Sequence, residues 1–401
     1  MLLVLGALLW CVAGAAPPVR FAAAMLQHGQ ATPQWPPPSG FVYTWHEGLG
    51  QLTRSGIAEA FAAGQRLKAR YGADASRMTV FAADQCRALQ SAEAVVRGAL
   101  GEQEELAHLP VHGAVADMLD GWQQCPTLGE LRTQLHGSPE WGNLTEDGQY
   151  INARVYLAKQ LRLTASLDSW EPVASYMRLA PPANLSQSMV KQVVEIGRTV
   201  RALPFVEESS GAMMASLTAG IVMHDVLQRM KKSAAAASDN ATELVVYVGH
   251  VENLLGLLRV LEGDNGDAFR LAPLPGAALF LELDTAGAVR VVYEGAALSV
   301  GDPCPDDGCP LETFRHRFQL YDDDAFVSTY WPSICDRDLS GVCPHAPSGT
   351  DAFISFIPLW VVASALGGFV VAVVLLLVGW RWWRNQQRRT RSQAVLEIEI
   401  N

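Results

Sequence analysis

Two strand-like runs that end in histidine constrain the fold of this chain most strongly. The first runs from Val19 through small and apolar residues to His28, and a glycine and Pro33 follow it. The second is the β-branched run 243–249, which ends at His250. Such runs are typical of buried strands. Because open α/β sheets hold ligands at the carboxyl ends of their strands, we predict that both rings lie together at the ends of neighbouring parallel strands.

The remaining pattern predicts an α/β fold with a mostly parallel sheet flanked by helices. Further strands are expected at 78–83, 277–284 and 289–294, the last two joined as a hairpin, and a helix is expected over 84–100. Residues from about 115 to 230 are mostly helical in pattern. The region between the two apolar ends is long enough for one large core or two closely packed ones.

The apolar ends of the chain predict its passage through the secretory pathway. Residues 1–16 are apolar and end near an Ala-x-Ala, which predicts a removable signal peptide. The uncharged run 353–380 is long enough to cross a bilayer, and five arginines follow it. Because positive flanks stay in the cytoplasm, we expect a single-pass type I membrane protein. Residues 17–350 are then lumenal or extracellular and 381–401 cytoplasmic, in lysosomes, endosomes or at the cell surface.

The charge of the chain limits its partners. The formal net charge is −11, although the predicted cytoplasmic tail is basic, so the lumenal part is strongly acidic. This argues against nucleic acid as a ligand, and it requires any phosphate site to be locally cationic. The sequence contains no metal or cofactor motif, so we expect neither.

Covalent modifications are predicted in the lumenal part. Six cysteines remain after removal of the signal peptide, and in an oxidising compartment an even number predicts disulfides. Asn143, Asn184 and Asn240 each begin an Asn-x-Ser/Thr sequon. We expect these three asparagines to be glycosylated.

At its histidine motifs the chain resembles the histidine acid phosphatases of the histidine phosphatase superfamily, especially the membrane-anchored, lysosomal-type members. The family's first strand ends in Arg-His-Gly-x-Arg-x-Pro, and residues 27–33 here read Gln-His-Gly-Gln-Ala-Thr-Pro. Its late strand ends in His-Asp, which is His250-Val251 here, and its Leu-Thr-x-x-Gly helix start matches residues 52–56. The resemblance implies a helical cap over about 115–230.

The resemblance also implies two disulfides. A short Cys loop followed by Pro-Leu-x-x-Phe pairs Cys304 with Cys309, and a second bridge pairs Cys125 with Cys335. The lumenal cysteines without a family partner are Cys86 and Cys343. For the first of these two we expect a buried free thiol.

The residues that carry the family's chemistry are only partly present. In the family the first histidine attacks phosphorus, the second histidine and three arginines hold the phosphate, and an aspartate protonates the leaving oxygen. By resemblance His28 is the nucleophile and His250 a phosphate donor. The positions of the three arginines and the acid hold Gln27, Ala31, Phe81 and Val251.

These losses predict weak or absent catalysis. Losing one charge-stabilising donor costs about a hundredfold to a thousandfold, and losing a general acid costs about a hundredfold to ten-thousandfold. The penalties are not additive, but together they leave little activity. The resemblance therefore implies a catalytically depleted pseudophosphatase that acts as a binding, endosomal or surface glycoprotein.

One alternative stays open, an active acid phosphomonoesterase that uses His28 and a phosphohistidine intermediate in a rebuilt site. Glu252, one residue past the lost acid, is the candidate substitute proton donor. Arg87 matches a family position outside the phosphate cradle, so we interpret it as a structural salt-bridge residue. The expected partners are the membrane and a phosphorylated small molecule or protein, and the sequence leaves open whether the chain forms a homodimer.

Overall fold

The computed structural model describes most of the predicted lumenal part. The described residues are 18–38, 41, 45–101, 111–112, 116–236, 241–263, 266–305 and 308–335. The predicted signal peptide 1–16, the predicted membrane span 353–380, the tail 381–401, Asn240 and Cys343 lie outside these residues. Within them, no single helix is both long and apolar enough to cross a membrane.

One sheet forms the centre of the described residues. Its strands are β1 (Val19–Gln27), β2 (Met78–Ala82), β3 (Val111–His112), β4 (Glu243–Gly249), β5 (Ala278–Asp284), β6 (Ala288–Tyr293), β7 (Ala296–Ala297) and β8 (Cys309–Pro310). They follow the order β3-β2-β4-β1-β5-β6-β7, with β8 paired to β6. Pairing is parallel from β3 to β1 and antiparallel from β1 onwards.

The prediction of an α/β fold with helices flanking a sheet is confirmed, but the sheet is mixed rather than mostly parallel. The predicted hairpin over 277–294 joins the main sheet, because its first strand pairs antiparallel with β1. A tight turn at Asp284–Gly287 joins the two hairpin strands, and only antiparallel strands can be joined that closely.

Strand β1 lies at the centre of the sheet and is buried on both faces. Residues from Phe21 to Leu26 are at most 3% exposed. Since successive side chains of a strand point to opposite faces, helices must cover both sides of the sheet here. The alanines at 22–24 leave room for this close packing. This burial fixes where β1 ends, and so where His28 lies.

Helices account for most of the remaining described chain. They are α1 (Arg54–Tyr71), α2 (Cys86–Leu100), α3 (Ala116–Leu119), α4 (Pro126–Leu135), α5 (Pro139–Glu146), α6 (Gly148–Leu161), α7 (Trp170–Leu179), α8 (Gln187–Val206), α9 (Gly211–Ala235), α10 (Val251–Glu262), α11 (Leu311–Arg317), α12 (Gln319–Asp322) and α13 (Trp331–Cys335). Helices α6 to α8 build a second hydrophobic core around Trp170 and Tyr176. The Tyr176 hydroxyl of α7 donates to the Trp35 carbonyl at 3.0 Å. This hydrogen bond links the second core to the loop that follows β1.

The loop after β1 is held against the start of α1. Thr53 caps this helix, since its hydroxyl accepts from the Gly56 N–H at 3.0 Å and donates to the Gln30 carbonyl at 3.0 Å. A Cβ on Gly29 would clash with the Gly56 backbone, and a Cβ on Gly56 would clash with the Gln30 backbone. The two glycines therefore permit the contact that positions the loop carrying His28.

The structure contains the two disulfides that the resemblance implied. Cys125 is bonded to Cys335 across 210 residues, and Cys304 is bonded to Cys309 across 5. The remaining described lumenal cysteine, Cys86, differs from the expectation of a buried thiol. Cys86 is free among the described residues and exposed, because it is the first residue of α2 and the buried face of that helix begins at Arg87.

Candidate functional site

The two histidines lie at the ends of adjacent parallel strands, which confirms the predicted arrangement. His28 follows β1 and His250 follows β4, and the backbone N–H of His28 donates to the Gly249 carbonyl at 3.0 Å. Their ring centroids are 5.9 Å apart. One ligand the size of a phosphate can therefore contact the region between them.

The hydrogen bonds of His28 assign its tautomer. Nδ1 lies 2.8 Å from the Gly29 carbonyl, which can only accept, so Nδ1 carries the hydrogen. Nε2 accepts from Arg87 Nε at 3.0 Å and therefore carries the lone pair. Burial, and next the nearby Arg87 and His250, lower the pKa of His28 to about 3. The ring is neutral at acidic and neutral pH and has the form that a nucleophile requires.

The position of Arg87 corrects the sequence interpretation. It was expected to form a salt bridge away from any phosphate cradle, but it contacts His28 directly and lines the cavity in front of that ring. With the Gln34 amide oxygen turned towards the guanidinium, Arg87 Nη1 donates to it at 2.8 Å. The reason is the short connection between β2 and α2, which places the first turn of α2 at the same sheet edge as the histidines.

Two more arginines, which the sequence analysis did not assign to the site, reach the cavity from the helical region. Arg178 comes from α7 and Arg201 from α8. Arg201 is bound on both sides, since it donates to Glu171 and, through Nη2 at 2.8 Å, to Glu252. Arg178 Nε is buried and has no hydrogen-bond partner in the described chain. Burial, and next the neighbouring Arg201, lower the pKa of Arg178 more than the nearby Glu59 and Glu171 raise it.

The space in front of His28 is a cationic cavity in an acidic chain. Two adjoining cavities of about 60 Å³ each, open to solvent, share Gln27, Glu171, Ser175 and the two helical arginines as lining residues. The charged residues that line them are Arg87, Arg178, Arg198, Arg201 and Glu171. Four cations against one carboxylate supply the local positive charge that a phosphate site in this chain needs.

His250 is held differently from His28. It is 3% exposed, and its Nε2 lies 2.8 Å from Asp120 Oδ1. Its backbone N–H donates to Asn253 Oδ1 at 2.9 Å. His250 therefore donates through Nε2 to a carboxylate, and its role as a phosphate donor stays a prediction. Among the described residues, no group of three or more histidines, cysteines or acids is placed to hold a metal ion.

The four positions that lack family residues differ in their environments. Gln27 lines both cavities, and its buried Oε1 has no partner in the described part of the chain. Ala31 lines the His28 cavity. Val251 is 2% exposed and lines the adjoining cavity, so an aliphatic side chain stands where the family has its acid. Phe81 is not a cavity residue, because it stacks on Tyr247 at 5.5 Å within the sheet.

Glu252 is poorly suited to the role of substitute acid. Burial raises the pKa of Glu252, but Arg201, His250 and the hydrogen bonds to the carboxylate together outweigh burial and lower the pKa to about 2. The carboxylate also accepts from Arg201 Nε at 3.1 Å. A group that is ionised at acidic and neutral pH holds no proton to donate, so the structure argues against this proposed role.

We expect the His28 ring to stay neutral throughout the mildly acidic range. An NMR titration of imidazole-labelled protein should show no protonation of His28 between pH 8 and about 4, since its pKa is lowered to about 3. Protonation of His28 between pH 6 and 7 would contradict the assigned environment.

Comparison with known proteins gives this site a family context. Residues 24–127 match the model of the histidine phosphatase superfamily, branch 2. The chain is 25% identical to the lysosomal acid phosphatase of Rattus norvegicus over 399 residues, covering 90% of this chain and 88% of that protein. The lysosomal acid phosphatase of Homo sapiens is likewise 25% identical, with the same shares covered.

Solved structures with the same fold are phytases. Hafnia alvei phytase in complex with myo-inositol hexakis sulphate has a TM-score of 0.56 at 16% identity, covering 78% of this chain and 99% of the phytase. The phytase of Klebsiella sp. ASR1 has a TM-score of 0.56 at 15% identity, covering 78% and 98%. At these identities the likeness concerns the fold. The superfamily match over residues 24–127, the two lysosomal acid phosphatases and the motifs around His28 and His250 together support a member of the histidine acid phosphatase family.

Proposed function

We propose that the lumenal domain binds phosphate monoesters in the His28 cavity and hydrolyses ordinary alkyl esters poorly or not at all. One observation carries the proposal, an arginine-lined cavity that meets a neutral histidine on one side and Val251 in place of an acid on the other. The arginines of the cavity supply the cations that phosphate binding needs. The described lining of the cavity lacks the general acid that release of an alkoxide needs.

The cations of the cavity support binding. A phosphate monoester carries up to two negative charges, and guanidinium groups bind its oxygens through strong charge-assisted hydrogen bonds. Arg201 is already neutralised by two carboxylates. Arg87 donates to neutral acceptors, and Arg178 Nε lacks a hydrogen-bond partner among the described residues. Arg87 and Arg178 are therefore the side chains assigned to the ligand.

The surroundings of Val251 support the loss of catalytic activity, because the described residues there include no available general acid. A general acid has to lie within hydrogen-bond reach of the leaving oxygen, directly or through one water. Three described carboxylates around the cavities are bound to other groups. Glu171 and Glu252 bind Arg201, and Asp120 binds His250.

The second candidate is the active phosphomonoesterase with a rebuilt site. A specific observation favours it, because Arg87, Arg178 and Arg201 provide cations from new positions in place of the three arginines that the family motifs lack. It still requires a proton donor. Steady hydrolysis of an alkyl phosphate that depends on Glu171 would favour it over the depleted site.

Titration calorimetry with inorganic phosphate and full-length protein in detergent tests the proposed binding. The wild-type protein should bind phosphate, and Arg178→Gln should weaken binding by about tenfold to a hundredfold, the value of one charged hydrogen bond. Arg66→Gln removes an exposed arginine of α1 and should leave the affinity unchanged. Equal affinities of all three proteins, or no binding, would contradict the assignment.

We further propose that the chain is a single-pass type I membrane glycoprotein of the lysosomal or endosomal system or the cell surface. Residues 1–16, 17–350, 353–380 and 381–401 are its proposed signal peptide, lumenal domain, membrane helix and cytoplasmic tail. Support comes from the names of the lysosomal relatives and from the exposure of Asn143 and Asn184 in two of the three sequons. The disulfides agree with an oxidising compartment.

Protease added to sealed vesicles that contain the protein should remove only a short tail. The arginines after residue 380 are expected to keep that end in the cytoplasm, and the large domain should become accessible only after detergent is added. Endoglycosidase treatment of the protected fragment should lower its mass. Digestion of the large domain in intact vesicles would contradict the orientation.

A further inference from the structure

We infer that the cavity selects protonated, monoanionic phosphate groups, and that Glu171 determines this preference by accepting the hydrogen of a P–OH group. The inference rests on the proposed phosphate binding and adds the charge state of the ligand and the residue that distinguishes it. Oxyanions without a hydrogen, such as sulfate or the dianion of a phosphate monoester, should bind less tightly. Two observations carry the inference: a carboxylate in the cavity lining, and a buried acceptor without a partner that lines the same two cavities.

Glu171 places a carboxylate in the lining of both cavities. It lies in the first turn of α7 and is the one acidic residue among the described lining. Its Oε1 accepts from Arg201 Nη1, and no described residue donates to its Oε2. The side chain is 32% exposed, so a ligand can reach it. An anion that enters either cavity therefore meets an anionic acceptor as well as arginines.

Gln27 adds a second acceptor to this lining. It is 8% exposed and lines both cavities, and its buried Oε1 has no hydrogen-bond partner among the described residues. Because a buried acceptor without a partner is unfavourable, a ligand that brings a hydrogen gains a bond that the free site lacks. The family motif has an arginine at this position, which can only donate, whereas an amide can also accept.

These acceptors distinguish ligands by their hydrogens. The monoanion of a phosphate monoester has one P–OH, which can donate to Glu171 while its ionised oxygens accept from Arg87 and Arg178. The dianion and sulfate carry only acceptors, so one of their oxygens would face the carboxylate without a hydrogen between them. A cavity lined by arginines alone would bind the dianion more tightly than the monoanion, because the attraction grows with charge. The inference predicts the reverse order.

The other charged groups around Glu171 do not produce such a reversal. They are Arg178 on α7, Arg198 and Arg201 on α8, Arg87 on α2, His28 after β1, His250 and Glu252 at the start of α10, and Glu59 on α1. A phosphate monoester loses its second proton at about pH 6. The arginines stay protonated there, the pKa of His28 is lowered to about 3, chiefly by burial, and the pKa of Glu252 is lowered to about 2 despite burial. A change of charge at His250 or Glu59 would act on every anion in the cavities alike, so fully ionised sulfate is the reference ligand.

Titration calorimetry of full-length protein in detergent with methylphosphonate and sulfate tests the inference. Methylphosphonate has the two charge states of a phosphate monoester and no ester bond to hydrolyse. At about pH 5 the wild-type protein should bind it about tenfold to a hundredfold more tightly than sulfate, the value of one hydrogen bond to a charged group. At about pH 9, where the ligand has lost its hydrogen, the preference should disappear. Glu171→Gln can donate to an ionised oxygen, so it should bind sulfate more tightly and bring the affinity ratio at pH 5 close to one.

The matched control is Glu195→Gln. It removes a carboxylate of α8 that lies 3.8 Å from Arg198 but is not among the described lining of either cavity. This variant should keep the wild-type ratio of methylphosphonate to sulfate affinity at pH 5.

The outcomes separate this inference from the proposed binding function. Equal affinities for the two anions in the wild-type protein at pH 5, or a preference for methylphosphonate that grows towards pH 9, would overturn the inference, while the proposed phosphate binding would stand. A ratio that Glu171→Gln leaves unchanged would overturn it as well. Binding of neither anion at either pH would overturn both proposals. Because the pH dependence is measured on the wild-type chain, it does not require any variant to fold.

Discussion

Replacing Val251 with aspartate should raise steady-state hydrolysis of alkyl phosphates by about a hundredfold to ten-thousandfold. The side chain already lines the cavity next to the one that holds His28, so a carboxyl group there can serve the leaving oxygen. The magnitude is that of one general acid–base group.

The matched control for this prediction is Val251→Asn, which has the size and polarity of the aspartate but no transferable proton. It should leave turnover at the wild-type level. The measurement is the initial rate of phosphate release from glycerol 2-phosphate, with phosphate affinity checked in parallel because Val251 is buried. Equal rates for the aspartate and asparagine variants, in proteins that both bind phosphate, would contradict the assignment of the missing acid.

Replacing Arg201 with alanine should lower the free energy of unfolding by about 2–3 kcal/mol at neutral pH. Breaking a fully buried ion pair costs about 3–5 kcal/mol, and the effect is smaller here because a third of the Arg201 side chain is exposed. The variant leaves Glu171 and Glu252 without their shared cation. Neutralising both in Arg201→Ala/Glu171→Gln/Glu252→Gln should recover part of the loss.

The destabilisation by Arg201→Ala should depend on pH in a defined direction. The pKa of Glu252 is lowered from its ordinary 4.5 to about 2 in the folded protein. A carboxylate with a lowered pKa contributes stability above the unfolded value, and that contribution is lost as pH falls through the folded value. Urea unfolding should therefore show the largest difference between wild type and variant above about pH 4.5 and a shrinking difference below it. A constant difference would contradict the pairing.

The features that the sequence predicts correctly are those carried by local motifs. His28 and His250 each end a strand whose composition marks it as buried, and the sheet rule that brings strand ends together needs no knowledge of the intervening chain. The two disulfides also agree with short motifs. The mixed character of the sheet was missed because a hairpin pattern does not say which edge of the sheet it will join.

The arginines of the cavity show what local patterns cannot supply. Arg178 and Arg201 lie in helices of a region that the sequence marks only as helical, far along the chain from His28. Helical periodicity identifies the buried face of α7 or α8, but whether an arginine at the edge of that face meets His28 depends on how the helices pack. The sequence does hold one indication that Arg201 lies next to the core, since it directly precedes the buried Ala202 and Leu203. Charged residues beside a buried stripe are candidates for sites as well as for salt bridges.

The most direct test of the rebuilt phosphate site is a crystal structure of the protein with inorganic phosphate bound at saturating concentration. The account predicts phosphate in the His28 cavity, with its oxygens about 3 Å from the guanidinium groups of Arg87 and Arg178 and its phosphorus facing His28 Nε2. An empty cavity in which Arg87 still donates to His28, or a phosphate bound only elsewhere, would contradict the claim that these arginines replace the ones that the family motifs have lost.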